Sequence, residues 1–370
     1  MLFISHTAQI GGAEISLILL LMHINRENFC PLVVLPTIGP LADRLDTLGI
    51  EIIILPLNRL RWRNPLPYIW TVYKLVKLIK VRKINLVQTN IEPANQYGVV
   101  AAWLAGIPCV AHIRNIQNRR RYWEHFLALS KVCIANSHAT ARSLRSVSLL
   151  HQRIEVIHNG VDLEVFDPLS VDRSHQRKRL NISSKTFLIG VAGRISPEKR
   201  QHLFLESFAK VVDTNTEMHA LLIGDTSADG NEWYLEDLYK RVVSLGLEKK
   251  VTFTGFTEDM PGMYYALDLL VLPSVAEPFG RTLIEAMAME RPVIATRAGG
   301  AVEVVDDGVT GILVTSENSD ELADAIQWAS KNRDIANKMG IKGRERAESL
   351  FAIKENVKKI ELVYQNILKH

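Results

Sequence analysis

The segment Glu277-Pro278-Phe279-Gly280, followed by Arg281–Ala288, brings together residue types suited to a phosphorylated, hydroxyl-rich ligand. Pro278 and Gly280 force a loop, so Glu277 stands outside the helix expected from Arg281 onward. Gly280 and Arg281 then lie at a helix start, where unpaired N–H groups and the positive end of the peptide dipole attract an anion. Glu285 falls about one turn into that helix, at the same end. Two carboxylates therefore flank a phosphate-attracting backbone.

Three other segments carry comparable chemistry. Gly193-Arg194-Ile195-Ser196-Pro197-Glu198-Lys199 offers two cations that suit a diphosphate, Arg194 through its planar fork and Lys199 as a point charge. Gly11-Gly12-Ala13-Glu14 has two glycines that let backbone approach a ligand ahead of a helix. It matches neither the dinucleotide G-x-G-x-x-G pattern nor the P-loop, and a purely structural turn is its rival reading. His112 ends an apolar run and precedes Arg114 and Asn115. A packing histidine and a functional one are both open there.

These residues need a scaffold that gathers loops. Apolar runs at Leu2–Ser5, Leu32–Leu35, Ile52–Leu55, Leu86–Gln88, Cys109–Ile113, Val132–Ala135 and Glu155–His158 read as strands. After a break, Phe187–Ala192, Ala220–Ile223, Val251–Thr254, Leu269–Leu272, Val293–Ala295 and Gly311–Val314 repeat the pattern. Helical spacing separates them, as in Ala13–His23, Pro67–Lys83, Gln201–Val212 and Glu321–Lys331. Such alternation predicts α/β units with doubly covered parallel sheets, whose ligands sit at the carboxyl ends of the strands. Three of the four segments follow predicted strands, and His112 lies at the end of one. The polar stretch 167–184 lacks a period and reads as a linker, giving domains at 1–166 and 185–350 with a ligand cleft between them. Residues 351–370 read as an amphipathic terminal helix, expected to pack back on the first domain.

A chain of 370 residues, 47% hydrophobic and 23% charged, is that of a soluble two-domain protein. Met1 runs straight into LFIS with no basic leader, and the apolar run Ile15–Met22 falls short of the roughly 20 residues that span a bilayer. Cys30, Cys109 and Cys133 show no metal-ligand spacing and read as buried free thiols of a reducing cytosol. Residues 1–180 hold 22 Lys and Arg against 12 Asp and Glu, about +10, whereas the remainder carries about −6. No acidic residue lies between Glu51 and Glu92. Within that window, Ile69, Val72, Val76 and Ile79 form an apolar stripe, with Lys74, Lys77 and Lys80 beside it and Trp62, Trp70 and Tyr73 nearby. A second basic cluster is Arg119-Arg120-Arg121. Such a helix suits an anionic membrane surface receiving a lipid-linked acceptor, or simply covers a sheet. No recognition motif for nucleic acid accompanies the charge.

Taken in order, the motifs resemble the group 1 (family 4) glycosyltransferases, retaining enzymes of GT-B architecture. The pieces are GGAE, VAHIRN around His112, ANSHATA, VIHNGVD, GRISPEK, LLIGD, VTFTGF, PSVAEPFGRTLIEAMA and ATRAGGAVEVVDDGVTGILV. The resemblance implies two tandem Rossmann-like domains, the second binding a nucleotide-sugar donor and the first an acceptor glycan or lipid-linked sugar. It places Arg194, Lys199 and the N–H groups around Thr282 and Leu283 on the diphosphate. Glu285 falls to the ribose, Glu277 to hydroxyls of the transferred sugar and Phe256 to the border of the base, with Phe279 and Gly280 also in the donor-binding set. Gly12 approaches the phosphates and His112 the sugar. The implied catalytic set is His112, Glu277, Arg194 and Lys199, without metal or cofactor. Arg200, Arg281 and the IRN after His112 depart from common family patterns and leave acceptor and sugar undefined. The implied function is retaining, metal-independent sugar transfer in polysaccharide or glycoconjugate synthesis, in the cytoplasm or peripherally on the inner membrane face. Rival readings are a nucleotide-sugar epimerase, a phosphorylase and a catalytically silent sugar-nucleotide-binding subunit.

Overall fold

The computed structural model describes residues 1–116, 122–145, 153–212, 217–226 and 230–369. The Arg119–Arg121 cluster lies outside them. The chain divides into two units, Met1–Gly160 with Ile353–His370, and Val161–Ala352.

The first unit runs β1 (Leu2–Ser5), α1 (Gly12–His23), β2 (Leu32–Leu35), α2 (Pro40–Thr47), β3 (Glu51–Ile54), α3 (Leu66–Val81), β4 (Val87–Asn90), α4 (Glu92–Ala105), β5 (Cys109–Ile113), β6 (Val132–Ala135), α5 (His138–Arg145) and β7 (Ile154–Val156). Its seven strands are parallel in the order β3-β2-β1-β4-β5-β6-β7. Short Leu-, Ile- and Val-rich strands, fully buried in β1, β2, β5 and β6, fit a sheet covered on both faces.

The C-terminal helix Ile353–Leu368 completes this unit. Val357, Ile360, Tyr364 and Ile367 join the buried cluster that holds Phe3, Val33 and Leu35, each large apolar side chain contributing about 1.5–3 kcal/mol. The Tyr364 hydroxyl donates to the Gln88 side chain at the sheet centre. Gly160 meets the start of this helix so closely that a Cβ would sit 2.6 Å from the Ile353 Cα.

The second unit runs α6 (Arg173–Arg179), β8 (Phe187–Ala192), α7 (Gln201–Val212), β9 (Met218–Ile223), α8 (Glu232–Ser244), β10 (Val251–Gly255), α9 (Met260–Ala266), β11 (Leu269–Leu272), α10 (Arg281–Ala288), β12 (Val293–Thr296), α11 (Ala301–Val304), β13 (Gly311–Val314), α12 (Ser319–Lys331) and α13 (Arg333–Leu350). Its six parallel strands are ordered β10-β9-β8-β11-β12-β13. Both units thus have the Rossmann strand order, with the direction of winding reversing between β1 and β4 and between β8 and β11.

Three expectations need correction. Residues 167–184 are not a linker: Asp172 caps α6 by accepting from the N–H groups of Ser174 and His175, and Arg177 binds the Ala266, Ser184 and Thr186 carbonyls and the Asp268 carboxylate. Arg173 joins it on Asp268, so the charge that reads as solvated instead fastens α6 to the second unit. On α3 the buried row is Tyr68, Thr71, Val72, Leu75 and Ile79, held by the Tyr68 hydroxyl donating to the Gln96 carbonyl at 2.7 Å. Ile69 is consequently exposed and Val76 only half-buried. Of the cysteines, Cys109 and Cys133 are buried and free, but Cys30 is exposed.

Candidate functional site

In the second unit, the loops leaving β8 and β11 meet at the winding reversal. The β8 loop carries Arg194, exposed, and then a single turn, Pro197–Lys199, whose last side chain is half-buried. The β11 loop carries Glu277. The two loops are joined by an ion pair, Lys199 Nζ to Glu277 Oε2 at 2.6 Å. These residues lie 78 positions apart in the chain, and the fold makes them partners.

The loop bearing Glu277 is shaped by its neighbours. Gly299 (φ +61°) and Gly300, after β12, press against it so closely that added Cβ atoms would lie 2.1 Å from the Glu277 carbonyl oxygen and 2.4 Å from that of Pro278. The Gly300 N–H donates to the Glu277 carbonyl at 2.7 Å. Gly280, at φ +101° and ψ 56°, turns the chain into α10 in a conformation that excludes a β-carbon at low cost.

Side chains beyond that turn divide between ligand-facing and core positions. Phe279 is 1% exposed and packs edge-on against Phe351 at 5.6 Å, so its ring anchors the loop and is not available to a ligand. Leu283 is also in the core, and its N–H donates to the Gly280 carbonyl at 3.0 Å. Of the N–H pair expected to face an anion, Thr282, half-buried at the second helical position, remains ahead of the helical ladder.

Glu285 is buried and held from two sides. Arg281, one turn earlier on the same helix face, approaches Oε1 at 2.7 Å, and the Tyr264 hydroxyl donates to Oε2 at 2.9 Å. Burial and then the Glu285 charge push the Tyr264 phenol well above its ordinary pKa, so it stays a donor. The Arg281–Glu285 spacing is visible in the sequence; Tyr264, on α9, carries no such signal. Phe256, just beyond β10, is 74% exposed, an uncovered aromatic face at the carboxyl edge of the sheet.

In the first unit the winding reversal gathers Gly11–Glu14, Asn90–Glu92 and His112–Arg114. Gly12 opens α1 and is exposed; the Gly11 N–H donates to Glu14 Oε2 at 3.2 Å. Burial raises the Glu14 pKa, opposed by hydrogen bonds from its own backbone and Gly11 and by the Arg114 charge. His112 is buried at the end of β5. Around it lies a polar network that the sequence does not announce: Arg114 Nε donates to Asn90 Oδ1 at 3.0 Å and Nη1 to Asn159 Oδ1 at 2.7 Å, while Nη2 lies 3.2 Å from His112 Nδ1.

Two tandem Rossmann-like units, with anion-suited loops at the winding reversal of the second, define the GT-B architecture of glycosyltransferases. Family models agree: one described as glycosyl transferases group 1 matches residues 172–346, and one described as glycosyltransferase family 4 matches residues 10–165. The chain belongs to the group 1 (family 4) glycosyltransferases.

Similar proteins extend this. A crystal structure of Anabaena Alr3699/HepE in complex with UDP and glucose superposes with a TM-score of 0.87 at 27% identity, covering 98% of each chain. An Escherichia coli UDP-Gal:alpha-D-GlcNAc-diphosphoundecaprenol alpha-1,3-galactosyltransferase is 25% identical over 88% of this chain and 86% of its own. YtcC of Bacillus subtilis (strain 168) is 32% identical, but the match spans only 58% of this chain and 54% of that protein.

Proposed function

We propose that this glycosyltransferase moves a sugar, with retention of configuration, from a nucleotide-diphosphate sugar to an acceptor hydroxyl in polysaccharide or glycoconjugate synthesis. The observation that carries the reading is the Lys199–Glu277 ion pair beside the Gly280 turn and the start of α10. Cleaving the anomeric C–O bond leaves negative charge on the departing diphosphate. Arg194, Lys199 and the N–H of Thr282 supply fixed positive potential where that charge develops, the part a divalent ion plays in other transferases. Glu277, oriented by Lys199, takes hydroxyls of the transferred sugar, and Glu285 takes the ribose. Phe256 borders the base, Gly12 approaches the phosphates and His112 meets the sugar. The Anabaena relative's complex with UDP and glucose supports a uridine nucleotide as the first donor to try.

A lipid-linked acceptor is favoured by the exposed surface of α3 and the loop before it. Leu66, Ile69, Trp70 and Tyr73, at helical spacing, are all exposed, together with Trp62. Arg61, Arg63, Lys77 and Lys80 surround them, and the Lys74 ammonium lies 5.0 Å from the Trp70 ring centre. Apolar and aromatic groups framed by cations suit the interface of an anionic bilayer. Among the described residues no helix is long and apolar enough to cross a membrane. The E. coli relative named for a diphosphoundecaprenol-linked acceptor fits the same picture.

A thermal-shift panel of nucleotides and nucleotide sugars, with and without EDTA, tests the donor reading, since a ligand that binds only the folded state raises the midpoint. A panel in which no nucleoside diphosphate raises it defeats the reading, and an EDTA-sensitive shift defeats metal independence. NMR of the product's anomeric configuration tests retention. Co-sedimentation with anionic vesicles at low and high salt tests the surface; absence of binding at low salt removes it.

A further inference from the structure

Four polar side chains at the carboxyl edge of the first sheet, His112, Arg114, Asn90 and Asn159, are each more than nine-tenths buried. A guanidinium has donors only, so the His112 Nδ1 facing Arg114 Nη2 at 3.2 Å must be an acceptor. A proton on Nδ1 would set two donors against each other. Burial and then the Arg114 charge pull the His112 pKa well below its ordinary value, so the ring is neutral at pH 7 and its single proton sits on Nε2. That Nε2 is buried and has no hydrogen-bond partner among the described residues.

The guanidinium is itself fixed. Asn90 donates from Nδ2 to the Ala13 carbonyl at 3.3 Å, which turns its Oδ1 toward Arg114 Nε. Asn159 takes Nη1 at 2.7 Å, and Asn136 Nδ2 donates to the Arg114 carbonyl at 3.3 Å. Leaving a buried donor unmatched is costly, typically about 1–3 kcal/mol, so a fold that also orients this donor is keeping it for something.

We infer that Arg114 is a positioning residue that locks His112 in the Nε2–H tautomer, presenting a hydrogen-bond donor to an oxygen of the bound sugar. This rests on the nucleotide-sugar reading. Under it, His112 neither gives nor takes a proton during transfer; it orients a sugar oxygen. Arg114 acts through it and touches no substrate.

The test uses the full chain labelled with 15N-histidine, with His112→Asn identifying the resonance. In the free protein at pH 7, a one-bond N–H coupling is expected on Nε2 and none on Nδ1. Arg114→Lys, which keeps the charge but loses the planar fork, should give a mixed-tautomer signal. Adding UDP-glucose should move the Nε2 resonance, and adding UDP should leave it in place. His112→Asn should weaken UDP-glucose roughly tenfold more than it weakens UDP, with part of that loss recovered in His112→Gln, whose amide reaches the Nε2 position. A proton on Nδ1, or a doubly protonated ring at pH 7, overturns the role of Arg114. An Nε2 resonance that stays still at UDP-glucose concentrations that raise the melting midpoint overturns the sugar contact. If neither UDP nor UDP-glucose binds, the donor reading has failed instead, and the free-protein spectrum still decides the role of Arg114.

Discussion

Replacing Lys199 with Met keeps the aliphatic stem and removes the charge that faces Glu277. The pair is neither a surface bridge nor a deeply buried one: the two side chains retain 23% and 14% of their exposure. Exposed pairs are worth about 0–1 kcal/mol, and breaking a buried one costs about 3–5. An intermediate loss of about 2 kcal/mol is expected, seen as a melting midpoint roughly 4–8 °C lower for a unit of this size. Affinity for UDP should fall by about 10- to 100-fold, the worth of one charge-assisted hydrogen bond to phosphate. The low end is favoured because wild-type Lys199 must divide its donors between Glu277 and the ligand. Calorimetric titration with UDP reads the affinity, and the double variant Lys199→Met/Glu277→Gln separates the two effects. Removing the unpaired carboxylate should restore most of the midpoint without restoring UDP binding. A single variant that melts earlier yet binds UDP as wild type does would show that the pair is only structural and the phosphate has been misplaced.

Three further outcomes are expected. Gly299→Ala puts a Cβ against the Glu277 carbonyl in a left-handed backbone, so about 2–4 kcal/mol of stability and the nucleotide-sugar shift should go together; a normal midpoint would mean the loop yields freely. Tyr264→Phe takes one of two partners from buried Glu285, lowering stability by about 1–2 kcal/mol and weakening UDP more than inorganic diphosphate; equal weakening would remove Glu285 from the ribose. His6 is lowered to about 4 by burial and then by the Arg59 charge. Its native pKa lies below the unfolded value of about 6.5, so its contribution is complete above pH 6.5 and is lost as pH falls toward 4, by at most about 3 kcal/mol. His6→Gln should flatten the midpoint-versus-pH curve in that window, and an unchanged slope would assign the loss to other groups.

The strands and their alternation with helices are legible because parallel strands covered on both faces must be apolar throughout. Glu277, Glu285, Arg194 and Lys199 stand out because Pro, Gly and charge after a strand leave few structural alternatives. Relations between distant segments are not legible. Nothing local in the chain marks Tyr264 as the partner of Glu285, or Asn159 as a ligand of the Arg114 guanidinium. Phe279 shares its motif with ligand-facing residues, yet its ring serves the core. The stretch 167–184 misleads because its arginines end on carbonyls and Asp268 rather than in water, although Asp172 ahead of Ser174 and His175 is a cap signal. On α3, a one-position change of phase exchanges Ile69 for Tyr68, and hydrophobicity alone does not resolve that choice.

The helix Ile353–Leu368 makes the first unit discontinuous in sequence. Residues Val161–Ala352 are contiguous, whereas the first unit is drawn from two separated segments, Met1–Gly160 and Ile353–His370. Without that helix the cluster that includes Phe3, Val33 and Leu35 loses Val357, Ile360, Tyr364 and Ile367, and Gln88 loses its Tyr364 partner. Deleting residues 353–370 would keep every residue of the second unit and leave apolar surface of the first exposed, of the kind chaperones and proteases recognise. The integrity of the first unit is thereby tied to a segment separated from the rest of it by the whole of the second unit's sequence.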